Sequence, residues 1–184
     1  MTRSGVTPVV AVLSSGLMAG LLFGDWLGPS FARSAMGTTS FIEFQQIVHI
    51  NYLLVLPALS TIAAGASVLW LVALRRERGT LEFGMILCAT VAIVIGYTIT
   101  LVVNVPVNEQ LESWTLAGPP ADAREIWRQW EKAHVVRTVF WVAGFFLEIV
   151  ALAVREPRIL SAAQATAGMT ENLTGEPACS WPLR

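Results

Sequence analysis

Charge is scarce in this chain. Asp, Glu, Lys and Arg together make up 14% of its 184 residues, and the formal net charge is -1. A near-neutral sequence carries no long-range field toward nucleic acid or an acidic partner, so no nucleic-acid binding is expected. Cysteine is nearly absent. Cys88, inside an apolar run, and Cys179, close to the C-terminus, supply neither a disulfide framework nor a thiolate metal site. There is no Cys-x-x-Cys-His sequence, which excludes haem attached by that route, and no Gly-x-Gly-x-x-Gly or Walker loop, so no nucleotide is expected as cofactor. Histidine occurs only at His49 and His134.

What the chain has in quantity is apolar sequence. Hydrophobic residues reach 54% and the mean hydropathy is +0.60, both unusual for a soluble domain. Four runs are long enough to cross a hydrocarbon layer, at about residues 6–24, 41–74, 81–103 and 123–154. The expected fold is all-α: an integral membrane four-helix bundle in residues 1–158, followed by a disordered cytoplasmic tail, 159–184, rich in small and polar residues.

The first run is read as a retained helix rather than a cleaved signal peptide, because further spans follow. Gly16, Gly20 and Gly24 recur every fourth residue, a spacing that lets another helix approach closely and admits oligomerisation. Asp25 and Trp26 close this helix, and Gly28-Pro29 opens a polar loop. Ser40-Phe-Ile-Glu43 has the form of a capping box, which starts the second helix near Phe41. Pro57 should kink that helix. Pro106 should end or kink the third, and Asp122 to Glu125 forms a second capping box before the fourth. Helices two and four are longer than a bilayer needs, so both should project beyond the membrane.

Arg75–Arg78 and Arg155–Arg158 fall on one side of a four-span chain, together with both termini. By the positive-inside rule that side is cytoplasmic, which makes the chain a multi-pass protein, expected in the plasma membrane and surrounded by its lipids. Asp25, the segment Glu43 to His49, Asn104 to Asn108, and Trp130 to Arg137 then all lie at the opposite end.

At about 100° per residue, Trp127, Trp130, His134, Arg137, Trp141 and Glu148 share one stripe of the last helix. Ionisable side chains in an apolar span are costly and face a bundle interior or a cavity. Gln45, Gln46, His49 and Tyr52 make a second polar face. Tyr97, Thr100, Asn104 and Asn108 make a third if helical phase survives Pro106. Bundles build sites from such facing positions.

Two chemistries fit. In one, His134 is a general base, since imidazole titrates near neutrality, and the fork of Arg137 holds an anionic oxygen. In the other, His49 and His134, with Glu43, Glu131 or Asp25 nearby, hold a single copper, iron or zinc ion. Glu131-Lys-Ala-His134 has the Glu-x-x-His spacing of di-iron bundles, but the second such motif is missing.

Asn104-x-Pro106-x-Asn108 after span three, then Trp130, His134 and Arg137 opening span four, is similar to the anthrone oxygenase-like family. The resemblance implies a small membrane oxygenase that uses molecular oxygen as co-substrate, without flavin or haem, on a lipophilic or aromatic small molecule. Joined to the facing positions, the resemblance implies His134 as the base, Arg137, Asn104 and Asn108 as donors to the enolate oxygen, and Trp130 and Trp141 as an aromatic wall. His49 is a further catalytic candidate, as second base, oxygen-site donor or metal ligand, and Tyr52, Tyr97 and Gln46 on the polar faces are expected around the substrate. The alternatives are a mononuclear copper or iron oxidase, a non-catalytic binding or transport module, and a membrane cyclase or isomerase. No pair of broken helices is evident in the sequence, which weighs against transport.

Overall fold

The computed structural model describes residues 5–174, with side chains through residue 155. Among these residues the chain is all-helical: α1 (Val6–Leu27), α2 (Pro29–Ala35), α3 (Thr38–Tyr52), α4 (Val55–Ala73), α5 (Leu81–Ile99), a π-helical turn at Thr100–Asn104, α6 (Val105–Ser113) and α7 (Ala123–Thr174). Four stretches are long and apolar enough to cross a membrane: Val6–Ala35, Val55–Ala73, Leu81–Ser113 and Ala123–Arg155. They are compatible with a multi-pass membrane protein.

The helices depart from the sequence expectations where prolines act locally. The run after Gly28 is not a loop. Pro29, with φ already set for a first helical turn, starts α2. The second span does not bend smoothly at Pro57 but breaks at Leu53–Leu54, because a proline ring crowds the carbonyl four residues earlier and offers it no donor. The third does not end at Val103. Its π turn inserts an extra residue ahead of Pro106, which re-phases the ladder so that α6 continues to Ser113. The second helix starts at Thr38 after Gly37, without a side-chain cap, so the Ser40–Glu43 box is not used.

The last helix passes Pro157 and runs 52 residues to Thr174, where a disordered tail from residue 159 was expected. One proline removes one helical hydrogen bond, and the alanine-rich sequence that follows favours propagation. The remainder of that tail, residues 175–184, lies outside the described residues.

Glycines set the closest helix approaches. A Cβ on Gly96 of α5 would stand 2.8 Å from Trp141 Cδ1 and 3.3 Å from the Arg137 carbonyl, and one on Gly144 of α7 would stand 2.6 Å from Ile93 Cγ1. Of the α1 glycines, Gly16 packs under Phe145, where an added Cβ would stand 2.6 Å from Cε2, while Gly20 and Gly24 border the cavity described below. Gly96→Ala should cost about 1–3 kcal/mol, the range for overpacking a tight interface. It should show as a lower midpoint of thermal unfolding in detergent; an unchanged midpoint would mean that α5 and α7 are not held this close.

Midway along the bundle, Met18, Ala19, Leu22, Ala63, Ile93 and Trp141 form an apolar layer. Beyond it lies Glu148, fully buried, with Ser15 Oγ and Ser67 Oγ each 2.5 Å from one of its carboxylate oxygens. The carboxyl thus ties α1, α4 and α7 together, and the apolar layer separates it from the polar end of the bundle. At the far end Arg155 Nε lies 3.9 Å from Glu82 Oε1, so the end of the apolar stretch of α7 meets the turn that opens α5.

Candidate active site

The stripe on α7 is buried along its length: Trp127, Trp130, His134, Arg137, Trp141 and Glu148 are all at most 5% exposed. The apolar flanks of α7 face outward, so the remaining face must be covered by neighbouring helices. Phe41 of α3 meets Trp127 edge-on, Trp127 stacks on Trp130 at 4.3 Å, and Trp130 stacks on His134 at 4.9 Å. This column of rings fixes the plane of the imidazole.

A relay of charged groups crosses the end of the column. Arg33 of α2, with a side chain 0% exposed, donates from Nη1 and Nη2 to Asp25 Oδ1 and Oδ2 at 2.8 and 2.7 Å. Its guanidinium also lies over Trp127 and Trp130, at 5.7 and 5.5 Å. Asp25 Oδ2 stands 3.3 Å from His134 Nε2, close in distance but not aligned as a hydrogen bond. On the other side of the ring, His134 Nδ1 accepts from Arg137 Nε at 3.3 Å and lies 3.1 Å from Nη2. Arg137 Nη1 donates to Thr100 Oγ1 at 3.2 Å, on the π turn, and the guanidinium covers Trp130 at 5.2 Å. Among the described residues no carboxylate lies within ion-pair distance of Arg137. The relay therefore holds two guanidinium groups against one carboxylate.

Beside it lies a cavity of about 580 Å³, bordered by all four spans. This is within the range of roughly 300–1,000 Å³ typical of small-molecule sites. Its walls are mainly apolar, from residues such as Leu21, Leu56 and Leu101, with Asp25, His49, Asn108, Glu112, His134 and Arg137 as polar points. Two of the bordering elements are interrupted at this level, at the α3–α4 break and at the π turn. The sequence did not show this pair, so that reason for setting transport aside does not hold.

Of the residues expected around the site, His49, Tyr52, Tyr97, Asn108, Trp130, His134 and Arg137 border this cavity. Others do not. Asn104 is buried and donates to the Trp130 carbonyl at 3.2 Å, holding the π turn against α7. Trp141 lies in the apolar layer against Gly96. Gln46 donates to the carbonyls of Leu111 and Trp114, closing the end of α6. Its neighbour Gln45 borders the cavity instead, with a buried Oε1 that has no hydrogen-bond partner among the described residues. Trp130 Nε1 is likewise buried and unpartnered.

Glu43 is exposed on α3 and borders nothing of the cavity. Among the described residues no three His, Cys, Asp or Glu side chains gather as a metal site would require. A guanidinium donating to His134 Nδ1 also competes with any cation for that lone pair, and the other nitrogen faces Asp25. The donor set His49, His134 and Glu43 does not fit a resident metal ion.

Three participants were not singled out from sequence. Arg33 was hidden in an apparent loop. Glu112 lay beyond an apparent helix stop, and it stands 3.1 Å from His49 Nε2. Arg124 donates to the carbonyls of Arg33, at 3.1 Å, and Met36, and so pins α2 to α7.

A family model described as anthrone oxygenase matches residues 44–147, the stretch from within α3 to the middle of α7. No curated protein and no solved structure matches.

Proposed function

Because the chain belongs to the anthrone oxygenase family, we propose that it oxygenates a lipophilic aromatic C–H acid, an anthrone or a close relative, with molecular oxygen. The observation that carries this reading is Arg137, a buried guanidinium with no carboxylate partner among the described residues, at the wall of a mainly apolar cavity. A cation at such depth is stabilised by an anion that arrives and leaves. The enolate oxygen of a deprotonated anthrone is such an anion. It is formed during the reaction, so the stabilisation falls on the high-energy species rather than on the neutral substrate. A flat polycycle would lie between the rings of Trp130 and Tyr97 and the leucines of α1 and α4. Gln45 Oε1 and Trp130 Nε1 would accept from and donate to its phenolic hydroxyls.

In this reading Asp25 and Arg33 hold His134, and His134 holds Arg137 in place. The site needs no flavin or haem, because a carbanion of this class reacts with oxygen directly. The charge bias of the sequence supports a cavity at the non-cytoplasmic end.

The experiment is oxygen uptake by the purified protein in detergent with an anthrone. One molecule of oxygen should be consumed per anthrone lost, and ¹⁸O from labelled gas should appear in the new quinone carbonyl. Uptake no faster than spontaneous oxidation would reject the oxygenase. Conversion of the anthrone without oxygen would favour a cyclase or isomerase. Transport is disfavoured by the apolar layer of Met18, Leu22, Ile93 and Trp141, which closes the bundle between the cavity and Glu148.

A further inference from the structure

An anthrone sets a geometric condition on the site that reads it. Its carbonyl oxygen and its acidic methylene lie at opposite ends of the central ring. The group that stabilises the oxyanion and the group that takes the proton must therefore come from two separate places. Arg137 and His134 touch each other, so they form one station and cannot attend both ends.

His134 is also poorly arranged as a base. The lone pair on its Nδ1 is covered by Arg137, its Nε2 faces Asp25, and its side chain is 2% exposed. His49 differs on each count. It sits on α3, borders the cavity, and keeps 19% of its side chain exposed. Its Nε2 stands 3.1 Å from Glu112 Oε1 on α6, a carboxylate that borders the same cavity. An imidazole held by a carboxylate at one nitrogen keeps its other nitrogen as an acceptor and is stabilised when it becomes a cation.

We propose that the His49–Glu112 pair is the acid–base unit of the reaction, with His49 the catalytic residue and Glu112 the residue that positions it. This rests on the oxygenase reading above. The methylene C–H bond breaks, its proton passes to the free nitrogen of His49, and its electron pair moves through the ring to the oxygen beside Arg137. The carbanion form gives an electron pair to dioxygen, a C–O bond forms, and the His49 cation returns a proton to make the hydroperoxide. His49 then removes the remaining hydrogen on that carbon as a proton. The O–O bond breaks, and the departing hydroxide takes that proton back from His49 and leaves as water, so CH2 and O2 become C=O and H2O. The four electrons lost by carbon are those that reduce dioxygen.

Proton removal can be read apart from oxygenation. The full chain in detergent is incubated anaerobically with an anthrone in D2O, and deuterium entry at the methylene is followed by mass spectrometry. Wild type should exchange well above the solution rate. His49→Gln should lose about 10²–10⁴-fold of that rate, the usual contribution of a general base, while still binding the anthrone. Glu112→Gln should slow exchange without changing KM, and Glu112→Asp should restore part of it.

Wild-type exchange in both His49→Gln and Glu112→Gln would overturn the assignment, and with normal oxygen uptake it would leave the oxygenase standing. A wild type that neither exchanges nor consumes oxygen would overturn both. If His49→Gln does not fold, the Glu112 series decides alone: equal exchange in Gln and Asp variants at the wild-type rate removes the pair from the mechanism.

Discussion

Arg137→Gln should lower kcat/KM for an anthrone by about 10²–10³-fold, the loss seen when one preorganised oxyanion donor is removed. The guanidinium is held on three sides before any substrate arrives, by His134 Nδ1, Thr100 Oγ1 and the face of Trp130. No reorganisation is then needed as charge develops on the substrate oxygen. That interaction grows between the neutral ketone and the enolate, so the loss should fall mainly on kcat.

Arg137→Lys should recover little. An ammonium is a point charge on a flexible stem, and it cannot span His134 and Thr100 at once while presenting another donor to the cavity. Stability provides the internal control. Glutamine at position 137 removes a buried charge that has no carboxylate within ion-pair distance among the described residues and shares Asp25 with Arg33, so the variant should unfold no more easily than wild type. Activity above a tenth of wild type in Arg137→Gln, measured as oxygen uptake, would assign the oxyanion to another group.

The last helix was the most legible part of the sequence, for a physical reason. An apolar span interrupted only at helical spacing leaves its polar residues a single face, and that face is the one the bundle buries, from Trp127 through Glu148. Four apolar runs were equally plain, because a span is defined by length and composition.

What the sequence hid was the behaviour of chain around proline. Pro29, Pro57 and Pro106 look alike as letters. One starts a helix, one breaks a helix four residues upstream, and one is absorbed by a π turn. Which outcome occurs depends on how neighbouring helices hold the altered segment, as here, where the Asn104 side chain of the π turn donates to the Trp130 carbonyl of α7. Arg33 and Glu112 fell in segments that were assigned to loops for this reason, and each partners a residue that was visible, Asp25 and His49. Gln45 and Gln46 show a finer limit. Adjacent positions on a helix differ by about 100°, and only the packing of α3 on α6 decides which faces the cavity.

The Asp25–Arg33 pair should show the largest single effect on stability, and an unequal one. Both oxygens of Asp25 are held by the Arg33 fork, but the two residues differ in their access to water. The Arg33 side chain is 0% exposed, whereas Asp25 keeps 24% at the cavity. Asp25→Asn leaves a guanidinium buried without a counter-charge, a loss of about 3–5 kcal/mol for a broken buried pair. Stacking on Trp127 and Trp130 offsets a part of it, about 0.5–2 kcal/mol for each cation–π contact. Arg33→Met leaves a carboxylate that the cavity can hydrate, and should cost less. The double variant should recover much of the Asp25→Asn loss, since an apolar residue of similar length replaces the orphaned charge. A denaturant titration in mixed micelles of the four proteins gives the coupling directly. Additive losses would mean that the pair is not the clamp that holds α2 across the end of α1 and orients His134. A large coupling would place the fixed end of the relay at Arg33, with Asp25, His134 and Arg137 ordered in turn from it to the cavity wall.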